Sequence, residues 1–234
     1  MIQIRRSSER GRVRLGWLDS RHTFSFGHYY DPAWMGFGPL RVINQDRVDP
    51  GAGFPTHGHA NMEILSIVLS GALEHRDSTG GGGVIRPGEL QLMSAGHGVE
   101  HSEYNASKDE PVEFLQVWIQ PDRVNAPPRY AQAAFGAGQR EGRLCLIASP
   151  DGAEGSLLLR QQARVLRGHL RPGEPVTHAL AAGRRAWIQL IGGELDLAGE
   201  QLEAGDGAGI SGVESFDLLA RGDAQADVLV FDLP

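Results

Sequence analysis

Apolar runs of five to seven residues, alternating in period two and cut off by glycine or proline, recur throughout this 234-residue chain. In Glu113 to Ile119, Leu115, Val117 and Ile119 alternate with Phe114, Gln116 and Trp118. Ile64 to Leu69 is a β-branched and aliphatic run ended by Ser70-Gly71, and Trp187 to Ile191 and Val228 to Phe231 read the same way. Alternation puts successive side chains on opposite faces of a strand, so such runs specify short strands rather than helices. Glycine supplies 32 residues and proline 13, close to twice the average glycine usage of ~7%, as a chain of many tight turns requires. The expected class is all-β, with barrels or sandwiches. Only Pro128 to Phe135 reads as a possible short helical turn, after a proline start.

Pro121 to Gly142 is rich in Pro, Ala and Gly and reads as a connector between two β-rich halves. The expected boundaries are 1–125 and 126–234. A short internal echo supports duplication: Leu69-Ser70-Gly71-Ala72-Leu73-Glu74 resembles Ile191-Gly192-Gly193-Glu194-Leu195-Asp196. Arg86-Pro87-Gly88-Glu89 likewise resembles Glu203-Ala204-Gly205-Asp206.

Charge and composition remove several classes of function. A formal net charge of -7 argues against direct nucleic-acid binding, which needs a basic surface to displace counterions. The Arg-rich opening from Arg5 to Arg14 is interleaved with Val13, Leu15 and Trp17 and reads as a solvated strand face. Gly80 to Gly83 lacks the Lys-Ser/Thr of a phosphate-binding loop and reads as a turn. A single cysteine, Cys145, excludes an intramolecular disulfide framework and reads as an inert thiol. With no apolar opening segment and no run of ~18 apolar residues, a cytoplasmic protein without a membrane span is expected.

His57-Gly58-His59 places two imidazoles at i and i+2, on one face of a strand. His101-Ser102-Glu103 repeats the spacing with an imidazole and a carboxylate. Two such pairs on neighbouring strands would offer three neutral nitrogens and one anionic oxygen to a single divalent transition metal. Iron(II) is the expected ion, with Zn, Mn, Ni, Cu or Co as alternatives, and positions are left open for a substrate. Glu63, four residues beyond His59, is a competing carboxylate. His22 and His28 read as hydrogen-bonded strand histidines, and His75 and His169 as ordinary exposed positions. His97 sits in a loop near the pocket. Phe24, Phe26, Phe54, Trp118 and Met93 read as core before they read as a substrate platform. No Ser-His-Asp or Cys-His arrangement competes as a nucleophilic site.

The punctuation around these pairs resembles the cupin motifs: Gly51, His57, His59, Glu63 and Gly71, then Arg86-Pro87-Gly88 followed by His101. Seven residues separate Glu63 from Gly71 where the pattern has six. Trp17-Leu18-Asp19-Ser20-Arg21-His22-Thr23-Phe24-Ser25-Phe26-Gly27 is similar to the opening signature of the pirin family. His57-Gly58-His59-Ala60-Asn61-Met62-Glu63 and the segment from Met93 to Glu103 resemble its metal motifs. The resemblance covers nearly all of the first half and, more loosely, the second. It implies a bicupin fold of two jelly-roll-like barrels, with His57, His59, His101 and Glu103 as metal ligands. Glu63 would then be a supporting group. His97 departs from the Thr or Arg common in the family.

Resemblance to the pirins that act as quercetinases implies opening of a flavonol ring with O2 and release of CO, Glu103 taking the substrate proton. A flavonol-like aromatic substrate and O2 are then the implied partners. The alternative implied by the animal members is a metal- or redox-responsive regulator that binds a protein partner without turnover. In the second half, Ala179, Ala181, Arg185, Leu218 and Ala220 occupy the positions aligned with the ligands and with Glu63, so no second metal is expected.

Overall fold

Strands, nearly all antiparallel, make up most of the computed structural model, which describes residues 1–234, and they fall into two compact units. The first contains residues 11–135 and 159–161, the second residues 1–10, 136–158 and 162–234. Each unit has one seven-stranded and one four-stranded sheet. The sheets are open and jelly-roll-like rather than closed barrels, as expected for a bicupin in all but closure. No helix is long and apolar enough to cross a membrane.

In the first unit the large sheet runs in the order Arg129–Ala134, Glu89–Ser94, Glu63–Ser70, Val112–Ile119, Leu40–Val48, Leu18–His22, Gly11–Leu15. The small sheet runs Gly53–His59, Val99–Asn105, Leu73–Asp77, Gly82–Ile85. Both contribute to one core, in which Leu18, Val48, Val68, Val112 and Phe114 from the large sheet meet Leu73 and Ile85 from the small one. Each fully buried side chain of this kind contributes roughly 1.5–3 kcal/mol, and the two sheets are held face to face by that burial. The second unit repeats the plan, with Leu195, Leu197, Leu202, Phe216 and Leu218 of its small sheet packed on Leu166, Ile188, Leu190 and Val230 of its large one.

The internal echo has a structural counterpart at its glycines. Gly71 and Gly193 turn at φ of 76° and 79°, and a Cβ would stand 2.6 Å from the Pro111 carbonyl in one unit and 2.5 Å from the Gln225 carbonyl in the other. Gly88 and Gly205 match as well, at 93° and 90°. Positive φ combined with backbone approach is tolerated only without a side chain.

Three expectations change. Residues 129–134 form an edge strand paired with Glu89–Ser94, register Arg129↔Ser94 to Ala134↔Glu89; ladder hydrogen bonds outweigh the helix-start signal of Pro128, and the short helix is Ala137–Arg140. The boundary near 125 shifts accordingly, with residues 126–135 in the first unit. Residues 1–10 belong to the second unit, because Ile2–Arg5 pairs with Gly207–Ile210. Arg6 Nη1 donates to Asp206 Oδ2 at 2.8 Å, and Arg10 Nη1 to the Gly205 carbonyl at 3.2 Å. Arg5 and Arg10 are thus buried, unlike the solvated face expected of that opening; Arg12 and Arg14 do face outward, against Asp19.

Two glycines of the strand Gly53–His59 make opposite demands. A Cβ on Gly53 would collide with the Glu103 carbonyl and Tyr104 Cα of the neighbouring strand, whereas a Cβ on Gly58 meets nothing nearer than the Val99 carbonyl at 3.9 Å. Gly53→Ala is expected to lower stability by about 1–3 kcal/mol through overpacking, and Gly58→Ala by well under that. Urea unfolding curves of the two variants check this, and equal losses would show that the close approach at Gly53 does not matter.

Candidate metal centre

Three neighbouring strands of the small sheet each present a pair of polar side chains at i and i+2 on one face. Val99–Asn105 lies between Gly53–His59 and Leu73–Asp77. In it, Val99, His101, Glu103 and Asn105 are buried and alternate with more exposed residues. His101 stands opposite His57 on one side and Asp77 on the other; Glu103 stands opposite Phe54 and His75. The step from His57 to Phe54 is one residue longer than that from His101 to Glu103, so the Gly53–His59 strand carries a bulge around Pro55-Thr56. Proline, which has no N–H to give a ladder, suits such a position. The bulge also aims the Pro55 carbonyl at the His57 ring, 2.8 Å from Nδ1.

His57, His59 and His101 converge, with ring centroids 4.8, 4.5 and 4.8 Å apart for the pairs 57–59, 57–101 and 59–101. One ring nitrogen from each lies within 4.8 Å of the others. A carbonyl only accepts, so His57 Nδ1 carries the proton and its Nε2 keeps a lone pair. Nε2 of His59 and of His101 are both buried without a partner. An orphaned buried nitrogen costs on the order of 1–3 kcal/mol, and two of them aimed into one cluster is the arrangement a cation would satisfy. Burial, reinforced by His57, pushes the pKa of His59 down to about 4. Burial, followed by His57, His59 and His75, pushes that of His101 down to about 3. Both rings are therefore neutral ligands near pH 7. The donor set fits a divalent transition metal.

Glu103 is 1% exposed and clusters with His101 and His75, also within 4.8 Å, rather than with all three imidazoles. Its Oε2 accepts from Gln116 Nε2 at 2.6 Å and its Oε1 from Ser66 Oγ at 2.9 Å and Gln91 Nε2 at 3.4 Å. These neutral donors fix the carboxylate beside His101. Glu63 is also buried, but its Oε2 is engaged by Ser94 Oγ at 2.8 Å and the Arg160 N–H at 3.2 Å, and burial raises its pKa.

Residues that sequence reasoning passed over complete the surroundings. His75 has no exposed surface, contrary to its reading as an exposed position; it stacks on Tyr130 with centroids 4.9 Å apart. Its Nε2 lies 3.2 Å from Asp77 Oδ2 and its Nδ1 3.4 Å from His101 Nδ1. Burial also raises the Tyr130 phenol to about 12. The missed signal was His75-Arg76-Asp77, a third i, i+2 pair of the same kind.

His28 and His97 are exposed in turns rather than on strands, whereas His22 is buried against Phe26 at 5.3 Å. His169 is partly buried beside Asp227. Trp118 meets the His59 ring at 4.9 Å and Phe26 meets Trp118 at 5.2 Å. Phe24 and Met93 are core. An open depression of about 450 Å³ borders His59, walled by Gly58, Ser78, Val99 and Glu100, which falls within the ~300–1,000 Å³ range of small-molecule sites. Cys145 is partly buried, which raises its thiol pKa.

Comparison with known proteins places the chain in a family. Residues 3–119 match the family model described as Pirin, and residues 146–233 match the one described as Quercetinase C-terminal cupin domain. The chain is 45% identical over 234 residues to quercetin 2,3-dioxygenase of Escherichia coli K12, covering 100% of this chain and 99% of that one. It is 38% identical over 227 residues to a pirin-like protein of Caulobacter vibrioides, covering 96% and 97%. The crystal structure of the E. coli bacterial pirin YhhW in complex with nickel(II) superposes with a TM-score of 0.95 at 44% identity, covering 100% and 99%. Matching motifs, architecture and full-length identity together establish that this chain belongs to the pirin family.

Proposed function

We propose that this protein is a metal-dependent dioxygenase that opens the ring of flavonols such as quercetin with O2 and releases CO. The carrying observation is the convergence of three imidazoles, one ring nitrogen of each within 4.8 Å of the others and Nε2 of His59 and of His101 buried without a partner, beside a buried carboxylate. The full-length likeness to a protein named quercetin 2,3-dioxygenase supports the substrate class. His57, His59 and His101 would hold the ion, with Glu103 joining them or standing next to it. Iron(II) remains the expected ion, and nickel(II), which a relative binds, joins it as a candidate to load. A bound divalent ion would supply Lewis acidity toward adjacent hydroxyl and carbonyl oxygens of the substrate.

The chain's own residues then account for the remaining needs. Glu103, oriented by Gln116 and Ser66, is placed to take the hydroxyl proton. Trp118 supplies an aromatic wall against His59, and the depression beside His59 gives access. In the second unit, Leu218 and Ala220 are apolar core and offer no donor atom; we assign no metal to that unit.

Oxygen uptake is expected only when metal and quercetin are both present. Glu103→Ala should lower turnover by roughly 10²–10⁴-fold, the usual contribution of a positioned general base. Turnover unchanged in that variant would remove Glu103 from the chemistry. Oxygen uptake absent from the metal-loaded wild type, with a protein captured only in the metal-loaded form, would favour the regulatory alternative.

The lowered pKa values of His59 and His101 set the pH dependence of the metal-free protein. Folded values of about 4 and about 3 lie below the ordinary imidazole value of 6.5. Between these limits the unfolded chain binds protons that the folded chain refuses. Stability is therefore fully present above about pH 6.5 and declines as pH falls toward 4 and then 3. Urea midpoints measured across that range should trace the decline, and His101→Gln should flatten it. A midpoint independent of pH over that window would contradict the buried neutral state.

A further inference from the structure

We infer that Asp77 and His75 set the tautomer of His101, so that its Nε2 faces the metal with a lone pair. The inference rests on the metal-centre reading above and extends it to residues outside the ligand set. Asp77 Oδ1 accepts from the Thr79 and Gly81 N–H groups at 2.8 and 3.0 Å and from the Thr79 hydroxyl at 2.6 Å. These three donors hold the carboxylate as a fixed acceptor. Its Oδ2 faces His75 Nε2 at 3.2 Å; a carboxylate only accepts, so His75 Nε2 carries the proton. In the neutral ring Nδ1 is then bare, and it faces His101 Nδ1 at 3.4 Å. A bare nitrogen only accepts, so His101 Nδ1 carries the proton. His101 Nε2, buried and partnerless in the protein, is left with the lone pair.

Two of the three imidazoles of the centre thus depend on different devices. The Pro55 carbonyl orients His57, while His101 is oriented by a buried histidine whose own state is dictated by an aspartate. His75 cannot turn away, because it has no exposed surface and lies flat against Tyr130 at an interplanar angle of 20°. Asp77 and His75 touch neither substrate nor reacting atoms in this scheme; they are positioning residues. Groups that orient a metal-bound histidine through its second nitrogen typically contribute 10–100-fold in metal affinity.

The test uses the full chain labelled with ¹⁵N at histidine. Long-range ¹H–¹⁵N spectra of the metal-free protein should show His75 protonated at Nε2 and His101 at Nδ1. His75→Phe, which keeps a ring against Tyr130 but removes the acceptor, should give His101 a mixed tautomer and bind nickel(II) about 10–100-fold more weakly. His75→Asn, whose Oδ1 can stand in for Nδ1, should recover part of both. Far-UV circular dichroism establishes that each variant is folded.

An imidazolium at His75 in the wild type would overturn the inference, because it would aim a proton at His101 Nδ1 and force the His101 proton onto Nε2. So would wild-type nickel affinity with an unchanged His101 tautomer in His75→Phe, or His75 Nδ1 itself ligating zinc in the loaded protein. Predicted tautomers in a wild type that binds neither nickel nor zinc would sink the metal-centre reading while leaving the proton arrangement intact.

Discussion

Burying a histidine inside a β-sandwich is inexpensive only when the ring is neutral and both of its nitrogens are occupied. The first unit meets this demand for His75 with a carboxylate and a second ring. It leaves it unmet at Nε2 of His59 and of His101. Those two atoms depart from the rule that Glu103 follows beside them with its three donors. An apolar residue would cost less at either position, so the departure points to chemistry rather than to packing.

The site depends on register more than on any single side chain. Three antiparallel strands carry inward pairs at i and i+2, and a slip of one residue would turn all of the pairs toward solvent. Two features hold that register near the centre. The bulge at Pro55-Thr56 lets His57 stand opposite His101 while Phe54 stands opposite Glu103. Gly53 lets the same strand approach the backbone of Glu103. Phe54 then packs into the core against Phe114 and Trp17, tying the ligand-bearing strand to the hydrophobic interior.

Much of this was legible in the chain as written. Period-two runs and glycine turns specified strands, and the turn pairs Gly71/Gly193 and Gly88/Gly205 foretold the duplicated plan. The spacing of His57/His59 and His101/Glu103 pointed to one inward-facing cluster. What escaped was long-range. Pro128 is a sound helix-start signal, and only the edge of the sheet offered by Glu89–Ser94 overrides it. His75 looked ordinary because its neighbours Glu74 and Arg76 are charged; alternation along Leu73–Asp77 sends those two outward and His75 inward. Arg5 and Arg10 looked solvated because the strand that pairs with Arg5 and the acceptor of Arg10 lie almost two hundred residues away.

That last separation bears on how the chain matures. Ile2–Arg5 is an edge strand of the second unit, hydrogen-bonded to Gly207–Ile210. Synthesised some two hundred residues before its partner, it stays unpaired until residues 207–210 have been made. During that interval it is an unpaired β-segment with exposed Ile2 and Ile4, open to pairing with another copy. The first unit contains its sheets within residues 11–135 and has no such wait. Synthesis order thus separates the two halves: the unit with the histidine cluster can assemble while the chain grows, whereas its companion closes only when residues 2–5 meet residues 207–210.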